Sequence, residues 1–160
     1  MSSRYSFGYY VLSIVVAMAL KILPWPAALD SLNPDWTLLV LIYWILTTPE
    51  RVGVFNAFLI GLLTDVLTGR LLGQYALAYS LSGYLCIKQH KRLRHFPLVQ
   101  QGLLIFLLLL LSQSLLFWTE NIQSPTLFQK SFLLPVLSGT VFWPFVYSLL
   151  HNIRFIRRNT

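Results

Sequence analysis

Apolar residues along the chain fall into six runs, separated by short segments marked by proline, glycine or charge. A membrane-crossing helix needs about 20 mostly apolar residues, with ~17–25 as the working range. The pattern predicts helices over residues 7–23, 34–46, 49–67, 71–87, 97–119 and 132–153. The first is bracketed by Tyr5, Tyr9 and Tyr10 at one interface, with Lys21 expected to snorkel beside Trp25 at the other. Asn33-Pro34 reads as an N-cap followed by proline at the first helical position, and Thr48-Pro49-Glu50 as a second helix start. The helix over 34–46 is only about 20 Å long at 1.5 Å per residue. That is short of a hydrocarbon core of about 30 Å, so the expectation is a re-entrant element or a locally thinned bilayer. Pro144 removes the donor that would meet the Thr140 carbonyl, so a kink is expected in the last helix.

Composition sharpens this picture. Of 160 residues, 56% are hydrophobic and 11% charged, with mean hydropathy +0.66. Soluble domains carry about 25% charged residues. The chain therefore reads as a single integral membrane domain over residues 1–160, all-α and polytopic, with two of its six transmembrane helices short or irregular. The first apolar run is followed by Pro24-Trp25-Pro26 rather than a small-residue cleavage pattern, so a retained helix is expected. Cys86 is the single cysteine, which excludes an intrachain disulfide.

The net charge of +7 raises nucleic acid as a partner, but the placement of the charges argues against it. Four of the twelve basic residues, Lys88, Lys91, Arg92 and Arg94, crowd between two apolar runs. With a cytoplasmic N-terminus, nine basic residues fall inside: Arg4, Arg51, those four, Arg154, Arg157 and Arg158. Lys21, Arg70 and Lys130 fall outside, which is the asymmetry that the positive-inside rule requires. Both termini are thus expected to be cytoplasmic, and the basic segment to meet anionic lipid or the acidic surface of a cytoplasmic filament.

The candidate chemistry lies in Gly61-Leu62-Leu63-Thr64-Asp65 and the turn beyond it, Gly69-Arg70-Leu71-Leu72-Gly73. Small residues recur at Gly53, Ala57 and Gly61 on one predicted helix, and at Gly73, Ala76, Ser80 and Gly83 on the next. Helices in lipid associate by close backbone packing over such residues, so these two are expected to form a tight pair. Asp65, placed at a wet outer helix end, admits three readings. It accepts hydrogen bonds from the Thr68–Gly69–Arg70 turn or pairs with Arg70; it docks a partner; or it belongs to an ion path. The last would call for further ionisable groups at mid-depth. No set of residues for catalysis, cofactor or metal binding emerges: Cys86 and His90 lack a third ligand, and no histidine stands within reach of Ser82 or Ser138 as a base.

Several strings, taken in order, resemble a known family. They are Leu23-Pro24-Trp25-Pro26, Pro34-Asp35-Trp36, Tyr43-Trp44-Ile45-Leu46, Pro49-Glu50-Arg51-Val52, the two segments around Asp65 and Gly69, Gln100-Gln101, Phe117-Trp118 and Trp143-Pro144. Together they resemble MreD, the bacterial rod shape-determining membrane proteins. The resemblance implies a multi-pass protein of the bacterial inner membrane without enzymatic activity or cofactor. It implies a fold similar to the S components of energy-coupling-factor transporters. The implied partners are the bitopic protein MreC, MreB filaments and the synthase formed by RodA and a class B penicillin-binding protein. Two functions follow as expectations. One is a scaffold that docks a partner near Gly61, Asp65, Gly69, Arg70 and Gly73 and helps to position peptidoglycan synthesis. The other is a small-molecule-binding or transport module with an outward pocket lined by Tyr75, Tyr79, Gln113 and Trp118.

Overall fold

The computed structural model describes residues 2–125 and 132–156, with side chains from Phe7 onward. Lys130, Arg157 and Arg158, and the side chains of Arg4 and Tyr5, lie outside the described residues. Among the described residues seven helices are formed: α1 (Ser2–Ile22), α2 (Ala27–Asp30), α3 (Trp36–Thr47), α4 (Val54–Thr68), α5 (Gln74–Leu93), α6 (Leu98–Gln123) and α7 (Leu134–Ile156). Two of them, α6 and α7, are long and apolar enough to cross a membrane. Large apolar side chains face outward as well as inward, among them Leu103, Leu107, Val141 and Phe145. A surface of that kind is compatible with lipid as the surrounding solvent.

The short helix α3 is the centre of the molecule. Every residue from Thr37 to Leu46 is buried, so it has no outward face. A helix apolar on all sides is stable only where other elements enclose it; α1, α5 and α7 do so here. Protein covers its sides, so its length need not match that of a hydrocarbon core. Around it α4 packs on α5, α5 on α6, and α6 on α7. Trp143 of α7 is fully buried, and the Tyr43 ring on α3 meets Tyr147 of α7 edge-on at 5.6 Å.

The long helices alternate in direction, and side-chain contacts show how. Lys21 at the close of α1 meets Asp35 at the start of α3, while Ser13 accepts a bond from Trp44 near the far end of α3. Arg94, just past α5, bonds to the last carbonyls of α3, and Arg70 after α4 pairs with Glu120 late in α6. Helices α1, α4 and α6 thus run one way, and α3, α5 and α7 the other. The molecule has an Asp65 end and an Arg94 end.

Several expected helix limits shift. Asp35, not Asn33, caps α3: its Oδ1 accepts from the Leu38 N–H at 3.3 Å, while Asn33 Oδ1 accepts from Trp36 Nε1 at 3.0 Å. Both residue types make good caps, and the one adjoining the apolar run takes the position. Thr48 closes α3 rather than opening α4. Its hydroxyl and N–H both donate to Trp44 O, and the N–H groups of Arg51 and Val52 return to Thr48 O. That turn leaves Pro49 and Glu50 outside any helix, and α4 starts at Val54 after an extended Gly53. Leu71 and Leu72 likewise fall in the turn before α5, which continues through the basic segment to Leu93.

Candidate functional site

Asp65 sits in the last turn of α4 and is 0% exposed. The helix stops just beyond it because Gly69 takes a left-handed conformation (φ 66°), and the Arg70 N–H turns back to the Asp65 carbonyl at 3.1 Å. A second positive φ, 109° at Gly73, swings the chain into α5. The backbone N–H groups opening α5 then converge on one carboxylate. Gly73 N donates to Asp65 Oδ2 at 2.9 Å, Tyr75 N to Oδ1 at 2.9 Å and Ala76 N to Oδ2 at 3.3 Å. The first turn of a helix has N–H groups without intrahelical partners, and its dipole favours negative charge there. Asp65 supplies both needs from the neighbouring helix.

This geometry corrects the sequence expectation in two respects. The donors are those of Gly73, Tyr75 and Ala76 and not of the Thr68–Gly69–Arg70 turn, and Arg70 pairs with Glu120 instead. The carboxylate is also enclosed and not at a wet helix end. Its charge is carried by oriented N–H groups in place of water.

Gly61, one helical turn before Asp65, makes the approach possible. A Cβ at Gly61 would lie 2.6 Å from both Ala76 N and Tyr75 O, and closer still to Ala76 Cα. Further along, Gly83 faces the Ala57 methyl at 3.1 Å and Ile45 Cδ1 at 3.4 Å, measured from the Cβ it lacks. Ala57, Gly61, Ala76 and Gly83 therefore form the contact between α4 and α5. Gly53 does not take part, since nothing stands within 4 Å of its added Cβ; it serves as the residue before α4. Gly69 and Gly73 likewise have open space and act through their positive φ. Ser80 is half-buried and donates back to Ala76 O at 2.6 Å.

A second polar group adjoins the first, and sequence reasoning missed it. Lys21 Nζ lies 3.0 Å from Asp35 Oδ1 and 3.0 Å from the Tyr79 hydroxyl. That hydroxyl donates to Asp35 at 2.7 Å. The ammonium also sits 3.7 Å above the centre of the Tyr75 ring, in cation–π contact. Lys21 thus does not snorkel to an interface but pairs inside the bundle. The available signal was a lysine and an aspartate at facing ends of two antiparallel apolar helices. Tyr75 joins the two groups, its N–H on Asp65 and its ring under Lys21.

The structure does not bring Tyr75, Tyr79, Gln113 and Trp118 around one cavity. The two tyrosines are buried and engaged as above, while Trp118 is 67% exposed on the outside of α6. In the basic segment, Lys88, Lys91 and Arg92 are exposed. Arg94 is set apart from them: its Nε donates to Leu46 O at 2.7 Å and an Nη donates to Thr47 O at 2.8 Å, closing the C-terminus of α3.

A buried acid that joins two helices, a packing face of small residues and a second ion pair make a rigid corner. The family described as rod shape-determining protein MreD matches residues 2–153. The rod shape-determining protein MreD of Haemophilus influenzae is 34% identical over 156 residues, covering 96% of this chain and 96% of its own. No solved structure matches the chain. Rod shape determination is the role of that family, which is one of membrane proteins and is not known for enzymatic activity. The chain belongs to the MreD family of rod shape-determining proteins.

Proposed function

We propose that the chain is a multi-pass scaffold of the bacterial inner membrane, with six membrane-embedded helices, both termini cytoplasmic and an S-component-like arrangement. It holds MreC and so helps to position peptidoglycan synthesis by the RodA and class B penicillin-binding protein synthase along MreB filaments. The observation that carries this reading is the rigid corner at the Asp65 end. Its two carboxylates are bonded inside the bundle, whereas its exterior offers Val66, Leu71, Leu72, Trp118 and Ile122, each more than half exposed, around the Arg70–Glu120 pair. A fixed apolar rim with one polar pair suits a partner's membrane helix better than a diffusing solute, because docking then needs little reordering. The docking residues are accordingly Arg70, Leu72 and their exposed neighbours, with Asp65 holding the frame.

Co-purification from membranes tests the reading. A stoichiometric bitopic partner is expected with the native chain. Leu72→Glu should lower its recovery at least ten-fold while the chain itself still accumulates. Unchanged recovery with Leu72→Glu would place the partner elsewhere. A tightly bound vitamin-sized ligand in the absence of any bitopic partner would overturn the scaffold in favour of a small-molecule module.

A further inference from the structure

At the Arg94 end a cavity of about 300 Å³ opens between the ends of α3, α5 and α7 and the start of α6. Three of its lining residues carry or can carry positive charge: Arg94, His151 and Arg154. None of the five carboxylates of the chain lines it, and none pairs with Arg94 or Arg154 among the described residues. Arg154 lies over the Trp44 ring at 5.9 Å, and His151 stacks on Tyr147 with ring centres 5.8 Å apart and planes 6° apart. Arg94 uses two of its N–H groups on the α3 carbonyls, and a guanidinium has five.

Gln101, which is 4% exposed, also lines the cavity. Its amide nitrogen donates to Leu93 O at 2.8 Å and to Phe96 O at 3.2 Å, which fixes the orientation of the side chain. Its Oε1 is buried and has no partner. The cationic wall calls for an anion.

We infer that this cavity binds the phosphodiester headgroup of a membrane phospholipid. The phosphate faces His151 and Arg154. Arginine suits a phosphate because its planar fork matches the oxygens. A free phosphate shares the anionic chemistry but leaves the rest of the lining unexplained. Leu46, Thr47, Tyr147 and Phe155 complete the wall. Their apolar surfaces suit acyl chains beside the headgroup. The inference rests on the membrane reading above but not on the scaffold.

Native mass spectrometry of the full chain, delipidated in detergent, provides the test. The probes are palmitoyl-oleoyl phosphatidylglycerol, palmitoyl-oleoyl glycerol without phosphate, and inorganic phosphate. Phosphatidylglycerol is expected to bind one to one and the uncharged lipid not at all. Arg154→Gln and His151→Glu should each lower phosphatidylglycerol occupancy at least ten-fold, and Lys91→Gln, outside the cavity, less than two-fold. His151 is exposed, so its replacement leaves the packed interior alone, and circular dichroism of each variant verifies the fold. Equal binding of the uncharged lipid, or equal loss with Lys91→Gln, would overturn the inference. So would displacement of the lipid by millimolar phosphate, which would assign the site to a soluble anion. Recovery of the bitopic partner, measured on the same variants, is expected to be unchanged, which separates this outcome from that of the scaffold.

Discussion

The two ends of the bundle handle charge in opposite ways. At the Asp65 end the two carboxylates have their partners: three backbone N–H groups on Asp65, and Tyr79 and Lys21 on Asp35. At the Arg94 end, cations gather without carboxylates around a cavity. A carboxylate met by several donors holds a structure to one arrangement, whereas a cationic wall without a counter-charge leaves room for an anion. The first end is a joint and the second a receptor. Substitutions should therefore cost stability at the joint and ligand binding at the cavity.

The largest effect should come from Gly61→Val. A side chain there meets the Tyr75 and Ala76 backbone, which cannot rotate aside. The penalty should exceed the ~1–3 kcal/mol usual for overpacking. No folded protein should be recovered from membranes, as read by detergent extraction and size-exclusion chromatography. Asp65→Ala comes next. It leaves three N–H groups at the start of α5 without an acceptor, at a cost of about 3–5 kcal/mol. A clear fall in Tm in detergent should register it. Arg154→Gln, made at the other end, should barely move Tm. If the two variants melt alike, the contrast between joint and receptor fails.

A smaller loss separates the two polar groups of the joint itself. Tyr79→Phe removes the hydroxyl that lies between Lys21 and Asp35 but keeps the ring and the ion pair. A hydrogen bond to a charged group contributes about 1.5–3 kcal/mol. The fall in Tm should therefore be below that of Asp65→Ala and above that of any surface pair.

How far the chain could be read in advance follows the same division between local and distant. The close packing of α4 on α5 was legible, because Ala57, Gly61, Ala76 and Gly83 repeat at helical spacing. The importance of Asp65 was legible as well, since an acid in an apolar run demands a reason. Its donors were not, because they depend on α5 starting at Gln74 after two positive-φ glycines rather than at residue 71. The apolar stretch of α3 was seen as short, and that length is itself typical of a buried core helix. Its position at the centre depends on helices far along the chain. Lys21 and Tyr79 are 58 residues apart, and Arg94 and Leu46 are 48 apart. No local pattern brings such pairs together; the packing around α3 does.

The smallest effect should be at the Arg70–Glu120 pair, although it looks like the strongest link on the outside of the joint. Its side chains are 37% and 40% exposed, whereas Lys21 and Asp35 are 12% and 17% exposed. An ion pair open to solvent contributes about 0–1 kcal/mol, because water and salt screen it and two long side chains lose freedom. Arg70→Gln should accordingly lower Tm by no more than a degree or two, on the order of that energy, and raising the salt concentration should erase the difference. Partner recovery should respond differently, since Arg70 lies on the proposed docking rim. A variant that keeps its Tm yet loses the bitopic partner would show that the exterior of the joint serves binding while its interior serves the fold.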